Sequence, residues 1–194
     1  MNQTNFFKPL AGLLVVALLL LIAVACSAAP DPESIYTRIT EGVLSGGDPI
    51  PAPTDDVIVT VTGKIGAINS GDSIQMDLPT IESVGLVDYT VEDPFEGAEV
   101  TFRGVLMRDL IELWQVDETA TTLEMVALND YVVDVPIADL REYPVVFALQ
   151  EDGEYMPVAR RGPAMLVYPY NHYDLDPSVY NDFWIWQIAS VNVR

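Results

Sequence analysis

Few residues in this chain could do chemistry. There is one histidine, His172. A single imidazole is enough for a Ser-His-Asp arrangement, but the sequence contains no nucleophile elbow. The polar, aromatic residues around His172, from Tyr168 to Asp176, predict a surface position for it. Asn171, Asp174, Asp176 and Asp182 gather hard oxygen donors in one stretch, the donor type that Ca²⁺ takes. EF-hand spacing and the usual loop glycine are missing, so a solvated acidic loop is the plainer reading. Arg160 and Arg161 form the only basic pair. Two guanidiniums could hold an anion or pair with nearby acids, and ion pairing is favoured in so acidic a chain. Asn129-Asp130 reads as a turn between strands. Phe183-Trp184-Ile185-Trp186 has more aromatic surface than one strand face can bury. One tryptophan is expected in the core, and the other in a pocket or on an interaction surface. The candidate ligand-pocket residues are therefore Asn129, Asp130, Arg160, Arg161, His172 and Trp186. No catalytic residue and no metal ligand is assigned.

Cys26 is the only cysteine. It follows an unbroken apolar run from Leu10 to Ala25, itself preceded by Lys8. That run is about 16 residues long, shorter than the roughly 20 of a bilayer span. The small residues Ala23-Val24-Ala25-Cys26-Ser27-Ala28-Ala29 around its end suit a signal peptidase. The arrangement resembles a bacterial lipobox, with Ala23 standing where such boxes carry Leu. Cys26 is thus the expected lipid acceptor, and the chain is expected at the extracytoplasmic face of a bacterial membrane, lipid-anchored in the cell envelope. Ordinary cleavage after Ala25 or Ala29, and an uncleaved anchor, are the alternatives. With Cys26 spent, the remainder has no thiol for a disulfide, a nucleophile or a metal.

The formal charge of the whole chain is −20. Such a surface repels nucleic acid and anionic lipid headgroups, so nucleic acid is excluded as a partner. Adaptation to salty surroundings would give the same charge. The expected partners are the membrane, through the N-terminal anchor, and a small ligand or another envelope protein.

Residues 1–26 form the signal segment and lipobox. Residues 27–55, rich in Pro, Gly, Asp and Ser, read as an extended flexible tether with one helical turn near Tyr36. A single domain of α+β class is expected over residues 56–194, of a size that can bury a core. Period-2 alternation predicts strands over residues 57–63 and 98–104. Further strands are expected at 64–69, 87–91, 123–128, 131–135, 145–149, 165–168 and 188–193. Asp77 followed by Pro79 predicts a capped helix start. Leu106, Leu110, Leu113 and Trp114 recur at helical spacing, which predicts an amphipathic helix over 107–115. Pro136 opens a short helix to Glu142. The domain is thus strand-dominated, with a mixed sheet and short inserted helices.

Several of these segments occur in an order that resembles the molybdopterin-binding domain of the sulfite oxidase family. They are Val100-Thr-Phe-Arg-Gly-Val-Leu-Met-Arg-Asp-Leu-Ile-Glu-Leu113, Val135-Pro-Ile-Ala-Asp-Leu140, and Val146-Phe-Ala-Leu-Gln-Glu-Asp-Gly-Glu-Tyr-Met-Pro157. Gly162-Pro163 through Pro169 keeps the family's proline spacing, and Trp186-Gln-Ile-Ala-Ser-Val-Asn-Val193 is similar to its last strand. The resemblance runs from about Val57 to Arg194 and implies that fold. It also implies that Asn129 and Asp130 lie near a cofactor mouth, and that Arg160 and Arg161 lie beside a pterin pocket.

The departures are specific. The family's molybdenum-binding cysteine has no counterpart in Val87-Asp-Tyr-Thr-Val-Glu-Asp-Pro94. A soft thiolate sets that metal's electronics, so Asp88 or Tyr89 is no substitute. Two of the family's basic positions correspond here to Met165 and Trp186. A pterin phosphate needs fixed positive charge. No cofactor is therefore expected, with molybdopterin as the alternative. The expected function is a non-catalytic binding or accessory module. A divergent molybdopterin-dependent oxidoreductase and a structural partner of another envelope protein are the competing readings.

Overall fold

The computed structural model describes residues 30–194. The signal segment and Cys26 lie outside the described residues. Among these residues, no helix is long and apolar enough to cross a membrane.

Strands form where alternation is clean. In β2 (Val57–Gly63), Val59 and Val61 are buried between less buried neighbours. In β4 (Val87–Asp93), Val87, Tyr89, Val91 and Asp93 are buried. In β6 (Thr122–Ala127), Leu123, Met125 and Ala127 are buried. This is the period-2 signature of a half-buried strand. The strand β8 (Val146–Glu151) is buried along all but its last residue, as suits a strand within a sheet. The other strands are β1 (Thr37–Arg38), β3 (Ile74–Asp77), β5 (Ala98–Leu106), β7 (Val132–Pro136), β9 (Glu154–Tyr155), β10 (Met165–Val167) and β11 (Ile188–Val193).

They make two sheets. The first runs β1-β4-β5-β8-β10, with β9 paired to β8, and its pairs are antiparallel. The second runs β3-β2-β11-β6-β7 and is mixed, because β2 and β11 run parallel. One apolar cluster takes side chains from both sheets. Among the described residues, four short α-helices are inserted: α1 (Leu78–Glu82), α2 (Met107–Leu113), α3 (Ile137–Glu142) and α4 (Pro177–Tyr180). Asp77 caps α1 as expected, taking the Thr80 N–H at 3.1 Å. The helix α2 buries Met107, Leu110, Ile111 and Leu113, and the adjoining Trp114 donates its indole N–H to the Met76 sulfur at 3.3 Å.

Two sequence expectations need correction. Residues 64–69 form no strand. Ile65 makes a single bridge to Val116, and the strand lies instead at β3, after the turn. The segment expected as a free tether is packed on the domain from Pro30 onwards. β1 pairs with β4, Ile35 and Ile50 are buried, and the Thr54 and Asp55 N–H groups bond the Asp77 carboxylate. Ile35 and Ile50 are placed to enter the core, which outweighs the Pro and Gly content between them.

Candidate functional site

Strands β4 and β5 are joined by a turn, with Asp93 opposite Ala98. Asp93 builds that turn. Its Oδ1 accepts the N–H groups of Phe95 and Glu96 at 2.8 and 3.0 Å, and its carbonyl accepts that of Gly97 at 2.8 Å. Gly97 is left-handed, with φ of 64°, which glycine adopts without strain. Asp93 is fully buried. Its other oxygen meets the guanidinium of Arg161, which is also buried. Arg161 reaches Glu96 at 3.0 Å as well. Arg160 stays exposed and pairs with Glu96 at 3.0 Å and Glu151 at 2.8 Å. Both guanidiniums are therefore held by carboxylates.

The ring of Trp186 lies against this cluster, with the Arg161 guanidinium carbon 4.8 Å from the ring centroid. The Arg161 carbonyl accepts the N–H of Gln187 at 2.9 Å. Phe95 meets Trp186 edge-on, at 5.2 Å between centroids and 80° between planes. Trp184 is buried between Phe95 and Phe102 and stacks on Tyr170 at 5.7 Å. Burial pushes the Tyr170 hydroxyl up to about 12, so it stays protonated at neutral pH.

A cleft of about 260 Å³ opens beside these aromatics. Three separated stretches line it. The β4–β5 turn gives Phe95, the β6–β7 turn gives Asn129 and Tyr131, and the approach to β11 gives Asn181, Asp182 and residues 184–187. Asn129 shapes its own turn by accepting the Tyr131 N–H at 3.2 Å. Asp130, at φ 65°, takes the left-handed place in the same turn. The indole N–H groups of Trp184 and Trp186 are buried and find no protein acceptor. The lining holds one ionisable carboxylate, Asp182, and no cation. These groups can bind by apolar contact and amide hydrogen bonds.

The sequence-derived residues thus separate. Asn129 and Trp186 line the cleft, Arg161 backs Trp186, and Asp130 sits in the adjoining turn. Arg160 is one step further out. His172 is exposed elsewhere, with Nδ1 3.4 Å from the Tyr89 hydroxyl, whose ionisation burial pushes well up. Sequence reasoning missed Phe95, Tyr131, Asn181 and Gln187. Only Asp93-Pro94…Gly97, a turn signal, could have pointed to Phe95. The acidic stretch does not converge. Asn171 accepts the Glu92 N–H and Asp176 caps α4, and no metal-holding group of three or more acids or histidines exists among the described residues.

The positions that depart from the resembled pattern can also be located. Met165 is fully buried in β10. Along β4, Asp88 is clamped by Arg103 at 2.6 and 2.8 Å.

No family model and no curated protein matches the chain. Solved structures do match. One is the crystal structure of the sulfane dehydrogenase SoxCD from Paracoccus pantotrophus, at 12% identity and a TM-score of 0.54. The match covers 88% of this chain and 55% of that one, so this chain spans about half its neighbour's length. At that identity the likeness concerns the fold alone.

Proposed function

We propose that this chain is a lipoprotein held by Cys26 at the extracytoplasmic face of a bacterial membrane. Its sulfite-oxidase-like fold acts there as a non-catalytic binding module without a pterin. The Arg161 cluster is the observation that carries this reading. An anionic cofactor would need free guanidiniums, and here Asp93, Glu96 and Glu151 already engage both arginines. The buried Met165 and the aromatic Trp186 supply no replacement charge, and residues 87–94 supply no thiolate. The residues present therefore do not fit a molybdopterin. The competing oxidoreductase reading rests on the fold, which does not by itself carry an activity.

The test is metal analysis of the full chain made in a cofactor-competent host, with mass spectrometry of the mature N-terminus. The expected result is no stoichiometric molybdenum and an acylated Cys26. One molybdenum per chain overturns the binding-module reading, and an acyl-free terminus overturns the anchor. A protein partner is the second reading. It is favoured by Leu128, Tyr131 and Val132, large side chains exposed at the β6–β7 turn beside the cleft. One protein retained in proportion to the bait, in a pull-down from solubilised membranes, would support it.

A further inference from the structure

We infer that the cleft beside Trp186 binds a neutral, hydroxyl-rich ligand of the carbohydrate class. This rests on the binding-module reading and names the ligand of that same site.

Four aromatic side chains line the cleft: Phe95, Tyr131, Trp184 and Trp186. Phe95 and Tyr131 are about half exposed, so apolar ring surface is open to a ligand. Carbohydrate rings have apolar C–H faces that pack on such surfaces, and hydroxyl edges that need hydrogen bonds. The polar lining suits those edges. The amide nitrogens of Asn129 and Asn181 offer donors, their oxygens already accepting the Tyr131 N–H and the Tyr170 hydroxyl. Gln187, whose amide nitrogen donates to the Val158 carbonyl, offers its oxygen, and Asp182 adds acceptors. Trp184 is 97% buried, yet its indole N–H and that of Trp186 lack protein acceptors. Both indole nitrogens are closed off from the surface, so a ligand would meet the aromatic rings and the amide groups of the cleft, not these N–H groups.

Charge narrows the class further. An anion would face Asp182, and the only guanidinium nearby, Arg161, is already held by Asp93 and Glu96. A cation would approach a Trp186 ring that already carries the Arg161 guanidinium. A neutral ligand meets neither conflict. The lining is aromatic and amide, with few charges, as expected of a site that selects by shape and hydrogen bonding.

The test is a fluorescence titration of the full chain in detergent with cellohexaose, maltohexaose and chitohexaose. Trp114 is buried and bonded to Met76, so a ligand-dependent change reports Trp184 and Trp186. The expected result is saturable binding of at least one sugar. Tyr131→Ala should weaken it by about tenfold or more, and Asn129→Ala should weaken it measurably. The remote exposed substitution Ile39→Ala should leave it unchanged. Tyr131 and Asn129 are exposed, so both variants should fold, which circular dichroism checks. No saturable response to any of the three sugars by folded protein overturns the inference. So does binding that Tyr131→Ala and Asn129→Ala leave intact. Saturable binding of tetramethylammonium at this cleft, without a sugar response, overturns the ligand class and spares the binding-module reading. Stoichiometric molybdenum overturns that underlying reading instead.

Discussion

Arg161 and Asp93 are both almost wholly buried and face one another. Replacing Arg161 with Met strands the Asp93 carboxylate with only the Phe95 and Glu96 N–H groups as partners. Breaking a buried pair from one side costs about 3–5 kcal/mol, because an uncompensated charge remains inside. For a domain of this size, about 1 kcal/mol moves the melting temperature by roughly 2–4 °C, so Arg161→Met should lower it by on the order of 10 °C. Asp93→Asn keeps an oxygen for the turn but puts an amide donor against the guanidinium, and should also destabilise. The double variant strands no charge. It should therefore cost less than the sum of the single changes, with a coupling of about 2 kcal/mol. Arg160→Gln is the internal control. Its guanidinium lies half in solvent, so its pairs should be worth less than about 1 kcal/mol. Urea unfolding of all four variants, monitored by circular dichroism, gives these values. The reasoning fails if Arg161→Met costs under about 1 kcal/mol, or if the double variant equals the sum. Either result would leave Arg161 available for an anionic ligand and remove the main objection to a pterin.

Three further outcomes are expected. Asp77→Ala removes the cap of α1 and the acceptor for Thr54 and Asp55, and should cost about 2 kcal/mol in the same unfolding assay. Burial opposes the charge of Asp77, but hydrogen bonds from Thr80, Thr54 and Asp55 outweigh it and hold the carboxyl well below its usual range. Its contribution is complete above the unfolded value of about 4 and is lost as pH falls toward the depressed folded one. Unfolding measured between pH 7 and 2 should therefore show an acid-side loss that is smaller in Asp77→Asn. Gly104→Ala places a Cβ 2.0 Å from the Phe147 carbonyl oxygen, at the register shift between β5 and β8. It should cost about 3 kcal/mol or prevent folding, and a melting temperature near that of the unaltered protein would refute the close approach.

Features carried by neighbouring residues were legible in the sequence. Alternation found β2 and β5, because a half-buried strand repeats every second residue. The α1 start was legible because Asp77 and Pro79 are close together. The packing of residues 30–55 was not, since its evidence lies far along the chain. The two residues of β1 pair with β4, and Ile35 and Ile50 are single apolar residues in a Pro-rich context. A Pro- and Gly-rich composition describes the backbone's freedom, and gives no sign of two isoleucines reaching a distant core.

The cleft was hidden for the same reason, since its three stretches lie far apart in sequence. The arginine pair shows the difficulty at its smallest scale. In sequence, Arg160 and Arg161 are equivalent neighbours. In the fold, Arg160 stays in solvent and bridges Glu96 and Glu151, while Arg161 turns inward to Asp93, 68 residues earlier. Their adjacency leaves a shared anion site open beside the favoured ion pairing, and the turn that holds them divides them. A binding role for the pair would require Arg161 to leave Asp93, and the buried carboxylate left behind makes that costly. The groups free to meet a ligand are therefore the aromatic and amide side chains of the cleft, and a strongly acidic chain can hold a neutral ligand there without drawing on its few cations.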